Sequence, residues 1–448
     1  MRWLDHKRRI ALTGLAGAGK TVFLLSMLQH LERFEPTRFK PANNAEVTAF
    51  RELPARDGFD PFPRTLLGAK LMEAQNLSWP EKTRDIYSYR CTFNYSDLGF
   101  PTRLWNKLRI HRQLDSNTVE WDFLDFPGER LSDVHIAANE SFAQWSDALL
   151  TLWNSYDRLR DGFTPYLQLL EKTDGVGERE LLTSYKQCLS RMVHNKNQLI
   201  TPSTFMLDHA GTGVFGLGDL ENGGINRFAG LVGAEFCPLS RTIRDRQHVL
   251  YGDFARNYSQ YRDTIVIPLF DAINECDRLL LLIDIPGILS GGVSRYNDAS
   301  HMLETLAENI TPSGWFFTNV DKAAIIAAKS DMIHRRDQDN LRELAKSMVR
   351  IAKNKQPKLK YEAFTASAWV SAKSIDLDDG GRALKGIPAQ DTEERIFRIP
   401  ELMPEWPEDW SPEDPRYSYP LLSPPRLSNR FLAPEQRNLD RIFDFIMT

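Results

Sequence analysis

A chain of 448 residues has room for two or three domains, and 42% hydrophobic with 26% charged residues is the make-up of a folded protein rather than a disordered one. A net charge of -4 gives no general pull toward nucleic acid or an anionic membrane, and no local basic run supplies one, so no nucleic-acid partner is expected. No apolar stretch of about 18 residues exists to span a bilayer, and "MRWLDHKRRI" lacks the apolar core of a signal peptide, so the expected location is cytoplasmic. Cys91, Cys188, Cys237 and Cys276 lack C-x-x-C spacing and read as buried free thiols rather than metal ligands.

In chain order, the apolar run "RRIALTG" leads into "GLAGAGKT", Gly14 to Thr21, and then into "KTVFLLSMLQHLERF", where Val22, Leu25, Leu28 and Leu31 fall at helical spacing. A hairpin-like pair, "RDIYSYRCTFNY" and "NTVEWDFLD", ends at Asp125. Three further runs follow: "DRLLLLIDIPG" to Asp284, "KAAIIAAKSD" to Asp331, and "YEAFTASAWVSAK" to near Ser371. Continuous apolar runs followed by helical patterns predict buried parallel strands in a doubly wound α/β sheet, with the ligand beyond their carboxyl ends. Helices are expected at "SRYNDASHMLETLAENI", from a Ser or Asn cap, and at "DQDNLRELAKSMVRIAKNK", from an Asp cap.

From Leu131 to Asn274 the pattern is mostly helical, with a Gly-rich interruption, "GTGVFGLGDLENGG", that reads as a turn. The expected organisation is a core in two parts, residues 1–130 and 276–375, around a helical insertion at 131–275. A Pro- and Trp-rich extension at 376–448 is expected to pack across the core in extended form and to end in the amphipathic helix "RNLDRIFDFIM".

The run Gly14 to Thr21 fits G-x-x-x-x-G-K-[ST], a pattern that arises by chance in roughly one chain of this length in a hundred. Its setting between a strand and a helix is the one a phosphate-binding P-loop requires. Gly14, Ala16, Gly17, Ala18, Gly19 and Val22 would supply the cradle. Lys20 would bridge the β- and γ-phosphates, and Thr21 would place its hydroxyl on Mg²⁺. "DFPGER" then offers Asp125 to the Mg²⁺ shell and the N–H of Gly128 to the terminal phosphate, with Glu129 where a water-orienting residue would stand. "DIPG", Asp284 to Gly287, is the rival strand-end acid, with capping of the following turn as its plainer role.

In "AAKSD", Lys329 and Asp331 fit the last part of N-K-x-D, in which the aspartate accepts from guanine, although Ala328 stands where asparagine is expected. The plainer reading is an exposed lysine and a capping aspartate. Ser371 and Ala372 of "SAK" are candidates for the loop that meets the guanine O6, with "TASA" at 365 to 368 an equal competitor. Thr83, as a third Mg²⁺ contact, and Arg84, as a transition-state charge, fall in the loop "WPEKTRD".

With these residues in hand, the chain resembles the YcjX-like family of bacterial P-loop GTPases. The likeness rests on "LTGLAGAGKT", "WPEKTRDI", "WDFLDFPGER", "NYSQYRDTIVIPLF", "DRLLLLIDI", "AAIIAAKSD" and "LDRIFDFIM", and it departs at "DIPG" and in the fifth motif. It implies a Ras-like core with a large helical insertion, GTP or GDP with Mg²⁺ as ligands, and a link to bacterial stress responses. The expected function is therefore a slow, Mg²⁺-dependent GTPase acting as a switch, with an unknown protein partner on the insertion. An ATPase using Asp125 or Asp284, or a nucleotide-stabilised scaffold, are the alternatives.

Overall fold

A computed structural model describes residues 7–72, 79–80, 86–96, 118–172, 175–194, 199–203, 205, 235–308, 319–350, 359–389, 391–408, 410–411, 415–425 and 432–448. The first strand, β1 (Lys7–Gly14), is followed by a helix at Lys20–Glu32, and then by β2 (Glu46–Leu53), β3 (Asp60–Pro61) and a helix at Arg64–Met72. Next come the antiparallel pair β4 (Tyr87–Ser96) and β5 (Thr118–Asp125). After the helical segment, β6 (Arg278–Ile283), β7 (Lys322–Ala327) and β8 (Lys360–Thr365) complete the main sheet.

The order across that sheet is β2-β4-β5-β1-β6-β7-β8, with β3 paired to β4. From β5 to β8 every neighbour is parallel, so the five predicted strands share one direction and one carboxyl edge. These runs lack strict alternation because both faces are covered. Ala11, Leu124, Leu279, Leu281 and Ile325 join one core, and Ile10, Leu12, Phe123, Leu280, Leu282 and Ile326 join the other.

The helical segment forms one of those covering layers. Its helices at Phe142–Ser155, Asp157–Glu171, Glu178–His194, His248–Tyr261 and Ile267–Asn274 bury Trp145, Trp153, Tyr166, Tyr185 and Tyr258 in a cluster continuous with the first sheet face. Ser141 starts the first of these with a capping box. Its hydroxyl accepts from the Gln144 N–H, and the Gln144 side chain accepts from the Ser141 N–H. The Gly-rich interruption lies outside the described residues. On the opposite face, the Lys20–Glu32 helix packs beside the terminal helix Leu439–Met447, whose Phe443 meets Phe39, Phe93 and Trp121.

Three expectations are corrected. The helix expected from Ser294 is preceded by a further helical segment that starts at Ile285, directly after β6, and the two meet at a kink at Gly292, where φ is 74°, before the second runs to Glu308. Pro286 sits in the first turn of the added segment, where a missing N–H costs nothing, and Gly292 interrupts the helical geometry between the two segments. Asp337 stands at the start of the Gln338–Met348 helix but makes no side-chain cap, and its carboxylate pairs with Arg382 at 2.9 Å. Finally, the C-terminal extension is not wholly extended. Its strands β10 (Arg382–Gly386) and β11 (Arg395–Ile399) join β9 (Ala372–Asp376), which comes almost wholly from the preceding segment, in an antiparallel three-stranded sheet. The Trp-rich stretch beyond it docks on the Ile285–Glu308 helix, with the Trp410 indole N–H donating to Leu289 O at 2.9 Å. Among the described residues no helix is long and apolar enough to cross a membrane, and all four cysteines are buried and unbridged.

Candidate nucleotide site

The loop after β1 is shaped by backbone demands that only glycine meets. At Gly14 a Cβ would lie 2.2 Å from Leu282 O on the neighbouring strand, and φ is 146°. Gly17 and Gly19 also have positive φ, 77° and 87°. Gly19 leads into the Lys20–Glu32 helix without a side-chain cap, and no acid sits in its first turn. Its first N–H groups and positive dipole end are therefore suited to an anion. The buried Lys20 folds back over the loop, its Nζ donating to Gly14 O at 3.3 Å and Leu15 O at 3.4 Å.

The turn after β5 lies directly on this loop. A Cβ on Gly128 would fall 2.5 Å from Lys20 Nζ, 2.6 Å from Gly14 O and 2.8 Å from Ala16 N, so no larger residue fits there. Asp125, at the end of β5, is fully buried, and among the described residues neither of its carboxylate oxygens has a hydrogen-bond partner. Burial pushes its carboxyl up to about 7, and the nearby charge of Lys20 works against that rise.

Asp284, the other strand-end acid, is differently placed. One oxygen accepts from the Gly287 N–H at 2.9 Å, and the other meets Lys329 Nζ at 2.7 Å. Burial works against its charge, but Lys329 and these bonds hold the carboxyl below its ordinary value. Its carboxylate starts a helix and anchors Lys329, whereas the Asp125 carboxylate is open.

Beyond β7, Lys329 takes a left-handed conformation, with φ at 55°, which turns the chain so that Asp331 points inward and is buried. One Asp331 oxygen accepts from Ser367 Oγ at 2.6 Å, the other from the N–H and Oγ of Ser371, both at 2.7 Å. Ala328 cannot brace this loop as an asparagine would, and two other side chains do so. Gln338 and Arg437 donate to Ser330 O at 2.8 and 3.1 Å.

One cleft of about 430 Å³ joins these parts, a size usual for small-molecule sites. Of the residues predicted for the site, Gly17, Ala18, Gly19, Lys20, Thr21, Val22, Gly128, Glu129, Lys329, Asp331 and Ser371 line it. Gly14, Ala16 and Asp125 lie behind this lining as loop and strand-end supports. Thr83 and Arg84 lie outside the described residues. The strand expected to end near Ser371 needs correction: β8 ends at Thr365, so "TASA" follows the strand, and Ala372 opens β9 without lining the cleft. Sequence reasoning missed Trp79, Met332, Trp369, Ala389 and Pro420–Leu422, which also line it.

The residues after Gly128 tie the site to the insertion. Arg130 Nη1 donates to Tyr261 OH at 2.8 Å and Ser203 Oγ at 3.2 Å, and Asp133 accepts from Tyr261 OH and the Ser203 N–H, both at 2.8 Å. All four side chains are buried.

A mostly parallel sheet with helices on both faces, a glycine-rich loop between β1 and a helix, and a strand-end acid beside that loop define an α/β protein of the P-loop NTPase class. Residues 8–448 match the family described as "YcjX-like family, DUF463", and the chain belongs to that family. It is similar to the Ras-like GTPase YcjX of Shewanella oneidensis, 23% identical over 381 residues that cover 78% of this chain and 73% of that one. It is also similar to the Ras-like GTPase YcjX of Escherichia coli, 20% identical over 370 residues, 78% of this chain and 75% of that protein.

Proposed function

We propose that the protein binds guanine nucleotide and hydrolyses GTP slowly, acting as a switch whose state is passed to the helical insertion and a protein partner there. A link to stress physiology is part of this reading, supported by the family resemblance alone. The observation that carries it is the single cleft that runs from the Gly17–Thr21 loop to the inward-pointing Asp331. The names of the two curated relatives support it further.

In this reading the loop N–H groups and Lys20 bind the phosphates, and Asp331 accepts the ring N–H and exocyclic amine of guanine. Three donors already occupy the roughly four acceptor positions of that carboxylate. Guanine would displace the Ser371 hydroxyl, which can rotate away, and keep the bond from Ser367. Mg²⁺ fits the donors present, since the Thr21 hydroxyl and the open Asp125 carboxylate are hard oxygen ligands, and Mg²⁺ sites use few protein ligands alongside phosphate. The bound ion would neutralise charge on the phosphate oxygens. Glu129 lies in the cleft where its carboxylate repels a γ-phosphate, which supports slow turnover.

The buried contacts of Arg130 and Asp133 with Ser203 and Tyr261 support transmission to the insertion, because a shift of the Gly128 turn must disturb them. The test is competition among GDP, GTP, ADP and ATP with Mg²⁺, together with turnover of GTP by wild type and Glu129→Gln. Guanine nucleotides should outcompete adenine nucleotides, and Glu129→Gln should hydrolyse faster. Equal competition by ATP would remove the role given to Asp331.

A further inference from the structure

Two of the six large hydrophobic side chains that stand exposed among the described residues, Trp79 at 38% and Leu421 at 74%, line the same cleft. Isolated exposed hydrophobics are ordinary and need no account. These two are joined: the Trp79 indole N–H donates to Leu422 O at 2.7 Å, linking residues 343 positions apart.

The Pro420–Leu422 segment is a built wall rather than a loose tail. Leu421 O accepts from the Ala389 N–H, and the Ser423 N–H donates to Ile387 O, both at 2.8 Å. The Leu422 side chain is buried with Ala372, Leu384 and Ile399 on the small sheet, and it lies against Gly386, where a Cβ would be 2.8 Å from its Cδ1. Extended backbone alternates its side chains, so burying Leu422 leaves Leu421 on the other side, at the cleft. Ser371, immediately before β9, reaches the same cleft through Asp331. Ser371 and Leu422 thus meet the site from one end of the small sheet, where Ala372 pairs with Gly386.

We infer that Trp79 and Pro420–Leu422 form the outer wall of the base- and ribose-binding part of the site, so that the C-terminal extension contributes directly to holding a purine nucleotide. This rests on the nucleotide-binding reading. The occupant follows from continuity: the same cleft holds the phosphate loop at one end and Asp331 at the other. Between them a flat aromatic base laid along Trp79 and Leu421 removes apolar surface from water.

The test is calorimetric titration of the full chain with GDP and Mg²⁺. Leu421→Ser should weaken GDP about fivefold, and Trp79→Ala about tenfold or more, as expected for one apolar contact and for an aromatic face with its hydrogen bond. Both positions are exposed enough to change without unfolding the chain, which equal thermal midpoints would confirm. Ile396→Ser, at a site on β11 outside the cleft whose exposure lies between those of Trp79 and Leu421, should bind as wild type does. Wild-type affinity in both cleft variants would overturn the wall and leave the nucleotide reading intact. Failure of wild type to bind any purine nucleotide would overturn both together.

Discussion

At one end of the cleft, eight consecutive residues from Gly14 to Thr21 make a loop whose chemistry is mostly backbone, seated on β1 and closed by Gly128. At the other end, Asp331 is held by Ser367 and Ser371, its loop is braced by Gln338 and Arg437, and the wall comes from Trp79 and Leu421. The first end is local and the second is assembled from segments hundreds of residues apart. A phosphate cradle needs only successive N–H groups and a helix start, so one short stretch can encode it. Recognition of a base needs acceptors and apolar surface arranged around a plane, and that arrangement falls to distant elements.

This contrast breaks most sharply at Lys20. Lys20→Ala should lower nucleotide affinity by about two to three orders of magnitude, since charge-assisted bonds to phosphate are lost. Retained affinity in a direct titration would mean that the local end does not hold the phosphates.

The open carboxylate of Asp125 should show itself next, in pH dependence. Its carboxyl rises from 3.8 to about 7 in the folded chain, through burial. The folded state therefore keeps a proton that the unfolded chain loses, and ionisation costs stability as pH rises from about 4 through 7. In urea unfolding of the nucleotide-free protein, Asp125→Asn should be more stable than wild type by ~4 kcal/mol at pH 8, with the gap closing toward pH 4. A gap that does not change with pH would show that Asp125 is not the buried, proton-holding group. Because bound Mg²⁺ favours the charged carboxylate, wild-type affinity for Mg²⁺-nucleotide should fall as pH drops below 7.

The assembled end is sharpened by Asp331→Ala. It should cost guanine nucleotides about 30-fold in affinity and leave adenine nucleotides unchanged, because only guanine presents the paired donors. Equal losses for GDP and ADP would assign Asp331 to loop structure through Ser367 and Ser371 instead. The smallest effect is expected at Tyr261→Phe, which removes one hydroxyl from the Arg130–Asp133 contacts and should lower stability by about 1 kcal/mol. The same variant tests transmission: nucleotide-dependent protection of insertion amides in hydrogen exchange should weaken. Unchanged protection would confine the switch to the core.

The sequence by itself determined the five parallel strands, the loop at Gly14 to Thr21, the place of Asp125 at the end of β5 and of Asp331 just beyond β7, and the helical character of the described residues between 131 and 275. Each is written in neighbouring residues as an apolar run, a glycine spacing or a helical period. Only the tertiary structure separated Asp125 from Asp284, since two acids in the same local setting differ in what reaches them from other strands, an open carboxylate in one case and Lys329 in the other. It alone placed "TASA" at the end of β8, drew Ala372 into a second sheet and added a helical segment at Ile285 ahead of the Gly292 kink. It also made the insertion a layer of the core and brought Leu421 to Trp79. Those outcomes depend on which surfaces meet after the chain has closed over long separations, and no local pattern carries that information.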